Sequence, residues 1–86
     1  MENTIKELEQ TFFRFGDKFT QIGYNPSTDM YLYRRELSTG PVYYEVFKRK
    51  INAYYTVSYP KDAAFGRWAK CCRRLEDAER HYNEGL

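Results

Sequence analysis

The side chains able to do chemistry are few, and their spacing does not match known catalytic arrangements. The adjacent thiols Cys71 and Cys72 fit neither an ordinary disulfide nor a C-x-x-C redox or zinc motif, and only His81 could join them as a ligand. Most carboxylates stand at helical spacing beside basic residues, as Glu76 and Arg80 do, instead of converging in a pocket. A Gly-rich phosphate loop, HExxH and GxSxG are all missing from the sequence. We therefore predict a protein that is not an enzyme and that uses neither a cofactor nor a metal.

The basic and aromatic residues carry more information. The chain has 14 basic and 12 acidic residues, but residues 34–74 hold ten basic and three acidic side chains, whereas 1–33 and 75–86 are both net acidic. Aromatic residues make up 19% of the chain, so some rings should reach the surface of so small a domain. Basic groups beside exposed rings favour phosphate and base binding. The alternative is a solvated sheet face on which Lys and Arg stems cover the rings.

Both ends of the chain show helical periodicity. From Ile5 to Ile22 an apolar side chain recurs every three or four positions, which predicts an amphipathic helix. Residues 62–83 return to this spacing and predict a second helix, with Gly85 just past its end.

Between these segments the apolar period falls to two, as in β-strands. We predict strands over 30–37, 42–51 and 53–59, with a tight turn at 38–41. The predicted fold class is α+β with the order αβββα, a three-stranded antiparallel sheet with two helices packed on one face. The other face of the sheet would then stay open to solvent.

Length and hydropathy limit the domain organisation and the location. At 86 residues the chain predicts a single domain over 1–86 with one thin core. Its apolar runs stay below the roughly 18 residues of a membrane span, and an apolar leader region is not apparent. A cytoplasmic protein without a membrane partner is expected, and the oligomeric state is left open.

Alternation along the second predicted strand decides which side chains would face the open side. If Tyr44 and Val46 point inward, then Tyr43, Phe47 and Arg49 point outward, and a slip of one residue would exchange the two sets. Basic residues of the second predicted helix would line its outer flank. The candidate partner contacts are Tyr43, Phe47, Arg49, Lys50, Arg67, Lys70 and Arg74.

The segment GPVYYEVF, at 40–47, resembles the second strand of the double-stranded-RNA-binding domain, which opens with a GPxHxxxF pattern. Gly40, Pro41 and Phe47 match, while Tyr43 replaces the histidine of that family. The Lys-rich start of the family's second helix is represented here by Lys61 alone. The resemblance implies a related topology and contact with duplex RNA.

A second resemblance lies in YEVFKRK, at 44–50, and SYPKDAAFGRWA, at 58–69. These are similar to segments of small, functionally uncharacterised proteins of phages and mobile elements of gut-type bacteria. The resemblance implies a protein that docks on a host factor, as anti-CRISPR inhibitors of bacterial defence do.

The leading hypothesis is a non-enzymatic binding protein that docks on a host protein or ribonucleoprotein in the bacterial cytoplasm and inhibits or redirects it. The alternative is a module that binds RNA or DNA directly through the basic central block. A third possibility, a structural component, predicts a stable oligomer.

Overall fold

A computed structural model describes residues 4–85, which form five strands, a short 3₁₀ helix and one α-helix. The elements in chain order are β1 (Thr11–Arg14), β2 (Asp17–Asn25), β3 (Met30–Glu36), β4 (Val42–Lys48), the 3₁₀ helix Asp62–Ala64, β5 (Ala69–Cys72) and α1 (Leu75–Glu84). Neighbouring strands pair antiparallel in chain order, so the sheet is a five-stranded meander. The predicted αβββα fold, with three strands and two helices on one face, is therefore wrong.

The predicted N-terminal helix is replaced by the β1–β2 hairpin. The hairpin turns at Phe15 and Gly16, whose φ angles of 57° and 81° are both positive, as a type I′ turn requires. It pairs Phe12 with Phe19 across the strands. Their separation along the chain also equals about two helical turns, so the same apolar spacing is compatible with a helix and with this hairpin. The ring stacking of Phe12 on Phe19, with centroids 4.7 Å apart, stabilises the hairpin.

The predicted helix over 62–83 is correct only for its last part, α1. Before α1 the chain forms the 3₁₀ helix, leaves helical geometry at Phe65, and passes through Gly66 at a φ of 87° into β5. Gly85 ends α1 in the left-handed conformation, with its N–H donating to the carbonyl of His81. Among residues 4–85, no helix has the length and apolar character that crossing a bilayer would demand.

The strands predicted over 30–37 and 42–51 correspond to β3 and β4, but the one predicted over 53–59 is wrong. The side-chain oxygen of Asn52 accepts the backbone N–H groups of Tyr54 and Thr56, which folds this segment into a turn. Only isolated bridges, such as the one between Ile51 and Val57, remain on either side of it.

The protein's own chain covers the sheet side that carries most rings, which we call the aromatic face. Its rings are Phe12, Phe19, Tyr31, Tyr33 and Phe47. Ile5 and Leu8 from the N-terminal segment and Val57, Tyr59 and Trp68 from the segment before β5 pack against them. The Tyr59 ring centroid lies 4.8 Å from that of Phe47 and 5.4 Å from that of Phe12. The aromatic face is thus the main core of the protein.

The opposite side of the sheet packs against α1. Met30, Leu32 and Val46 are fully buried there beneath Ala78 and Tyr82. Gly23 makes this packing possible, because a Cβ at that position would stand 2.7 Å from the Tyr82 hydroxyl. The prediction that one side of the sheet stays open is therefore wrong, since elements of the chain pack on both sides of β3 and β4.

Candidate functional site

The structure divides the seven predicted contact residues into two groups. Phe47 lies in the core of the aromatic face with 0% exposure, so it offers no surface to a partner. Arg49 is bound to Glu7 through two hydrogen bonds, its Nε donating at 2.9 Å. The other five lie on or near β5, the edge strand of the sheet, with Tyr43 on the neighbouring strand β4: Tyr43, Lys50, Arg67, Lys70 and Arg74.

Strand pairing brings these five residues together from distant parts of the chain. The Lys48 N–H donates to the Trp68 carbonyl at 3.0 Å, which places the end of β4 and Lys50 beside the residues that precede β5. Tyr44 pairs with Cys72, so the start of β4 lies beside the residues that follow β5. We name the basic side chains along this edge the β5 flank: Lys50, Arg67, Lys70, Arg73 and Arg74. At about 3.3 Å per residue, β5 itself extends roughly 10 Å from residue 69 to residue 72, with Arg67 in the turn before it and Arg73 and Arg74 in the bend after it.

Two cations of the β5 flank lie over aromatic rings. The Lys50 Nζ stands 5.5 Å from the centroid of Trp68, and the Arg73 guanidinium carbon stands 4.8 Å from the centroid of Tyr43. Cation–π contacts of this kind hold a charged head in place without neutralising it. Tyr43 therefore acts as a support for Arg73, a residue that the sequence-based candidate set omits.

Positive charge on the β5 flank has few acidic neighbours in the chain. Residues 50–74 contain six basic side chains and one acidic side chain, Asp62. Among residues 4–85, the salt bridges involve Arg34, Arg35 and Arg49, and none of the six basic residues of this segment. The flank thus combines an excess of positive charge with partial or full exposure to solvent, and its nearest acids along the chain beyond this segment are Glu76 and Asp77 in the first turn of α1.

Beside the flank, the Asn52 turn presents two exposed rings. Tyr54 has 86% of its surface exposed, and Tyr55 has 49% exposed with a positive φ of 58°. A left-handed conformation is costly for a tyrosine and is typical of residues held in place by their surroundings. The turn begins two residues after Lys50, so Tyr54 adds an open aromatic surface next to a cation. A short turn near Asn52 is predictable from the sequence, but the strand-like composition of AYYTVSY favours a strand where the turn in fact continues.

The cations on the aromatic face are neutralised inside the protein. The Arg35 guanidinium donates to Asp17 at 2.7 Å and to Glu45 at 3.0 Å, and Tyr59 donates its hydroxyl to Glu45 at 2.7 Å. The hydrogen bond from Arg35 is the main reason that the pKa of Asp17 lies below its usual value. Burial, followed by the charge of Glu45, raises the pKa of Tyr59 far above its ordinary range. This network fixes structure and leaves little of Arg35 for a ligand.

Glu7 joins the N-terminal segment to the sheet in the same way. Its carboxylate accepts hydrogen bonds from the Arg49 guanidinium and from the Tyr31 hydroxyl. The Arg49 guanidinium lowers the pKa of Glu7 to about 2, against the opposing effect of partial burial. Arg49 is therefore a structural residue in this fold.

Glu7 should make stability depend on pH in the acidic range. Its folded-state pKa lies below the ordinary 4.5, so its contribution is complete above that pH and is lost as the pH falls toward 2. Because the Glu7 side chain is half exposed, we expect Glu7→Gln to cost only up to about 1 kcal/mol at neutral pH. The cost should shrink to nothing near the lower end of that window. Urea unfolding across the window, with Glu9→Gln as the control, measures this difference; a cost that does not change with pH contradicts the assignment.

The two thiols are free and are not shifted toward the thiolate form. Burial raises the pKa values of Cys71 and Cys72, which keeps both protonated at neutral pH. Within the described range 4–85, no three His, Cys, Asp or Glu side chains gather closely enough to hold a metal ion.

Comparisons with known proteins give no relative from which a role for the β5 flank could be inferred. No family model, curated protein or solved structure matches this chain. The resemblances to phage proteins and to the double-stranded-RNA-binding domain are therefore unsupported, and function has to be argued from the chemistry of the flank itself.

Proposed function

We propose that the protein binds single-stranded nucleic acid in the cytoplasm, and that the β5 flank supplies its phosphate contacts. The observation that carries this proposal is the uncompensated charge of residues 50–74, where six basic side chains accompany one acidic side chain. None of the six is used in a salt bridge within the described residues. Phosphate backbones are the ligands that such a row of Lys and Arg favours most.

The shape of the row supports a linear polyanion. The β5 flank follows β5, which extends roughly 10 Å, and its cations come from the middle of this strand and from the segments at both of its ends. Phosphates of an extended strand recur along a line, so several of them can meet this edge at once. A compact anion would reach only one or two of these side chains.

The exposed ring of Tyr54 favours a single strand over a duplex. Bases stack on aromatic side chains only when their faces are free, as they are in unpaired strands. Tyr54 is 86% exposed on a turn that its own hydrogen bonds to Asn52 hold in shape. A strand whose phosphates follow the flank could place a base on this ring.

The experiment is fluorescence anisotropy with a labelled oligouridylate at low salt. We expect a dissociation constant of roughly 10⁻⁶ to 10⁻⁴ M, as for sequence-independent binding. The double variant Arg67→Glu/Arg74→Glu should weaken binding at least about tenfold. Arg14→Glu/Lys18→Glu makes the same change in net charge on the β1–β2 hairpin, at the other end of the sheet, and should have a much smaller effect. Equal losses in the two double variants would show that net charge alone drives binding and would overturn the site.

Tyr54→Ala tests whether the protein prefers single-stranded nucleic acid to a duplex. Loss of one stacked base should weaken oligouridylate binding at least about fivefold, with duplex RNA as a poor competitor. Duplex that competes equally well, together with a silent Tyr54→Ala, would contradict single-strand recognition. The absence of any binding at low salt would contradict the whole proposal and favour the predicted docking on a host protein instead.

A further inference from the structure

The outer edge of β1 has free backbone groups. In a hairpin with a two-residue loop, the residues beside the loop form a hydrogen-bonded pair, and bonded pairs then alternate along the strands. The Gln21 N–H donates to the Gln10 carbonyl at 2.7 Å, as that alternation requires. Gln10, Phe12 and Arg14 therefore direct their backbone groups toward β2, while Thr11 and Phe13 direct theirs away from it. Within the described part of the chain, β1 pairs with β2 alone.

Apart from its short length and the terminal cation Arg14, this edge lacks the features that normally prevent strands from pairing. Natural edge strands carry inward-pointing charges, lysines, prolines or bulges. β1 instead reads Thr-Phe-Phe-Arg, and Phe13 is 71% exposed on the side of the sheet that α1 packs against. Phe15, at the turn, is 84% exposed in a left-handed conformation where Asn or Gly is usual. Two large rings are thus held in water beside a free strand edge.

A groove with a partly apolar lining accompanies the same edge on the aromatic face. It has a volume of about 530 Å³ and lies between the N-terminal segment, β1 and the segment from Thr56 to Tyr59. Leu8, Phe12 and Val57 are among the residues that line it. A strand added to β1 would therefore have apolar surface to cover on both sides of the sheet.

We propose that a second copy of this chain pairs with this edge, β1 against β1, around a two-fold axis. Antiparallel pairing centred on Phe12 lets Thr11 and Phe13 of each copy use all of their free backbone groups. It joins the two sheets into one continuous sheet with an isologous interface.

Several side chains fit a copy of the same chain. Pairing centred on Phe12 places the Phe12 rings of both copies side by side next to the groove, and Thr11 of one copy opposite Phe13 of the other. It also places Arg14 opposite Gln10 of the second copy, which is next to the acidic Glu9. The two Phe12 rings thus meet each other, and Arg14 lies within one residue of Glu9 of the second copy along the paired edge.

This inference does not depend on nucleic-acid binding. In the paired form the two β5 flanks lie at opposite outer edges of the joined sheet, because β1 and β5 are the two edges of each copy. Pairing would therefore leave both flanks free.

Sedimentation velocity over about a hundredfold range of protein concentration tests the proposal by mass action. We expect the species to shift from 10.4 kDa toward twice that mass as concentration rises. Phe13→Lys, which introduces a charge of the kind that protects natural edges, should keep the protein monomeric. Tyr54→Lys replaces an equally exposed ring elsewhere and should not alter assembly. A wild-type protein that stays monomeric, or a dimer that survives Phe13→Lys, overturns the proposal.

Amide hydrogen exchange of the wild-type protein provides a test without mutation. The amides of Thr11 and Phe13 should exchange rapidly in dilute solution and become protected as the concentration rises. The amide of Ala53, in the exposed Asn52 turn, should show no such dependence. Dimerisation without protection at Thr11 and Phe13 would assign the interface to another surface and contradict the β1 pairing.

Discussion

Phe47→Ala should lower the free energy of unfolding by about 3–5 kcal/mol, the usual cost of removing a fully buried phenylalanine. Phe47 has 0% exposure, and its ring packs against those of Tyr31 and Tyr33, with centroids 5.8 Å away in each case. A chain of this length is stable by only about 4–13 kcal/mol, so this single change removes much of its stability. Urea unfolding followed by circular dichroism measures the loss.

Two further variants keep the Phe47 test interpretable. Phe47→Leu preserves most of the volume and should cost less than about 1.5 kcal/mol, so it remains measurable if the alanine variant unfolds. Tyr54→Ala removes a ring that is 86% exposed and should change stability by no more than about 0.5 kcal/mol. A Phe47→Ala variant that is as stable as Tyr54→Ala would contradict the covered aromatic face and restore Phe47 as a surface residue.

Arg35→Leu should be nearly as damaging, at about 3 kcal/mol. Removing the guanidinium takes the cation away from Glu45, which is only 3% exposed, and breaking a buried pair by removing one partner costs about 3–5 kcal/mol. Arg35 keeps about a third of its side chain in water, which places the cost at the lower end of that range.

Arg34→Leu is the matched control for Arg35→Leu, one residue along the same strand. Arg34 points to the other side of the sheet and meets Glu36 at 3.6 Å, with both side chains at least 40% exposed. Such surface pairs contribute at most about 1 kcal/mol. Thermal or urea unfolding of both variants should separate them clearly. Similar costs for the two substitutions would show that the Arg35 network is not a buried ionic centre.

The sequence identifies the central hairpin β3–β4 well, because both strands are rich in aromatic residues and the turn at 38–41 contains Gly40 and Pro41. It misleads at the N-terminus, where the apolar spacing of a helix coincides with the cross-strand pairing of Phe12 and Phe19. The predicted helix and the observed hairpin differ chiefly at Phe15 and Gly16, where positive φ angles reverse the chain direction. Local periodicity cannot distinguish them, because the choice depends on contacts with β3.

The candidate site, like the fold, is predictable from the sequence only in part. The basic block of residues 34–74 is a property of composition, so Lys50, Arg67, Lys70 and Arg74 could be named without a structure. Phe47 and Arg49 are unavailable to a ligand because residues far away in the chain cover the one and bind the other. Arg49 binds Glu7, which lies 42 positions earlier. Glu7 belongs to the N-terminal segment, which was predicted to be part of a helix. Long-range contacts, more than residue chemistry, decide which cations remain available.

The salt dependence of oligonucleotide binding tests the central claim most directly. If the five cations of the β5 flank each neutralise one phosphate of a single strand, the log of the association constant should fall with log salt at a slope of about −3.5. In Arg67→Glu/Arg74→Glu the slope should shrink to about −2, because two of those contacts are gone. A slope near zero, or the same slope in the wild type and in this variant, would contradict the claim that the β5 flank holds the phosphates.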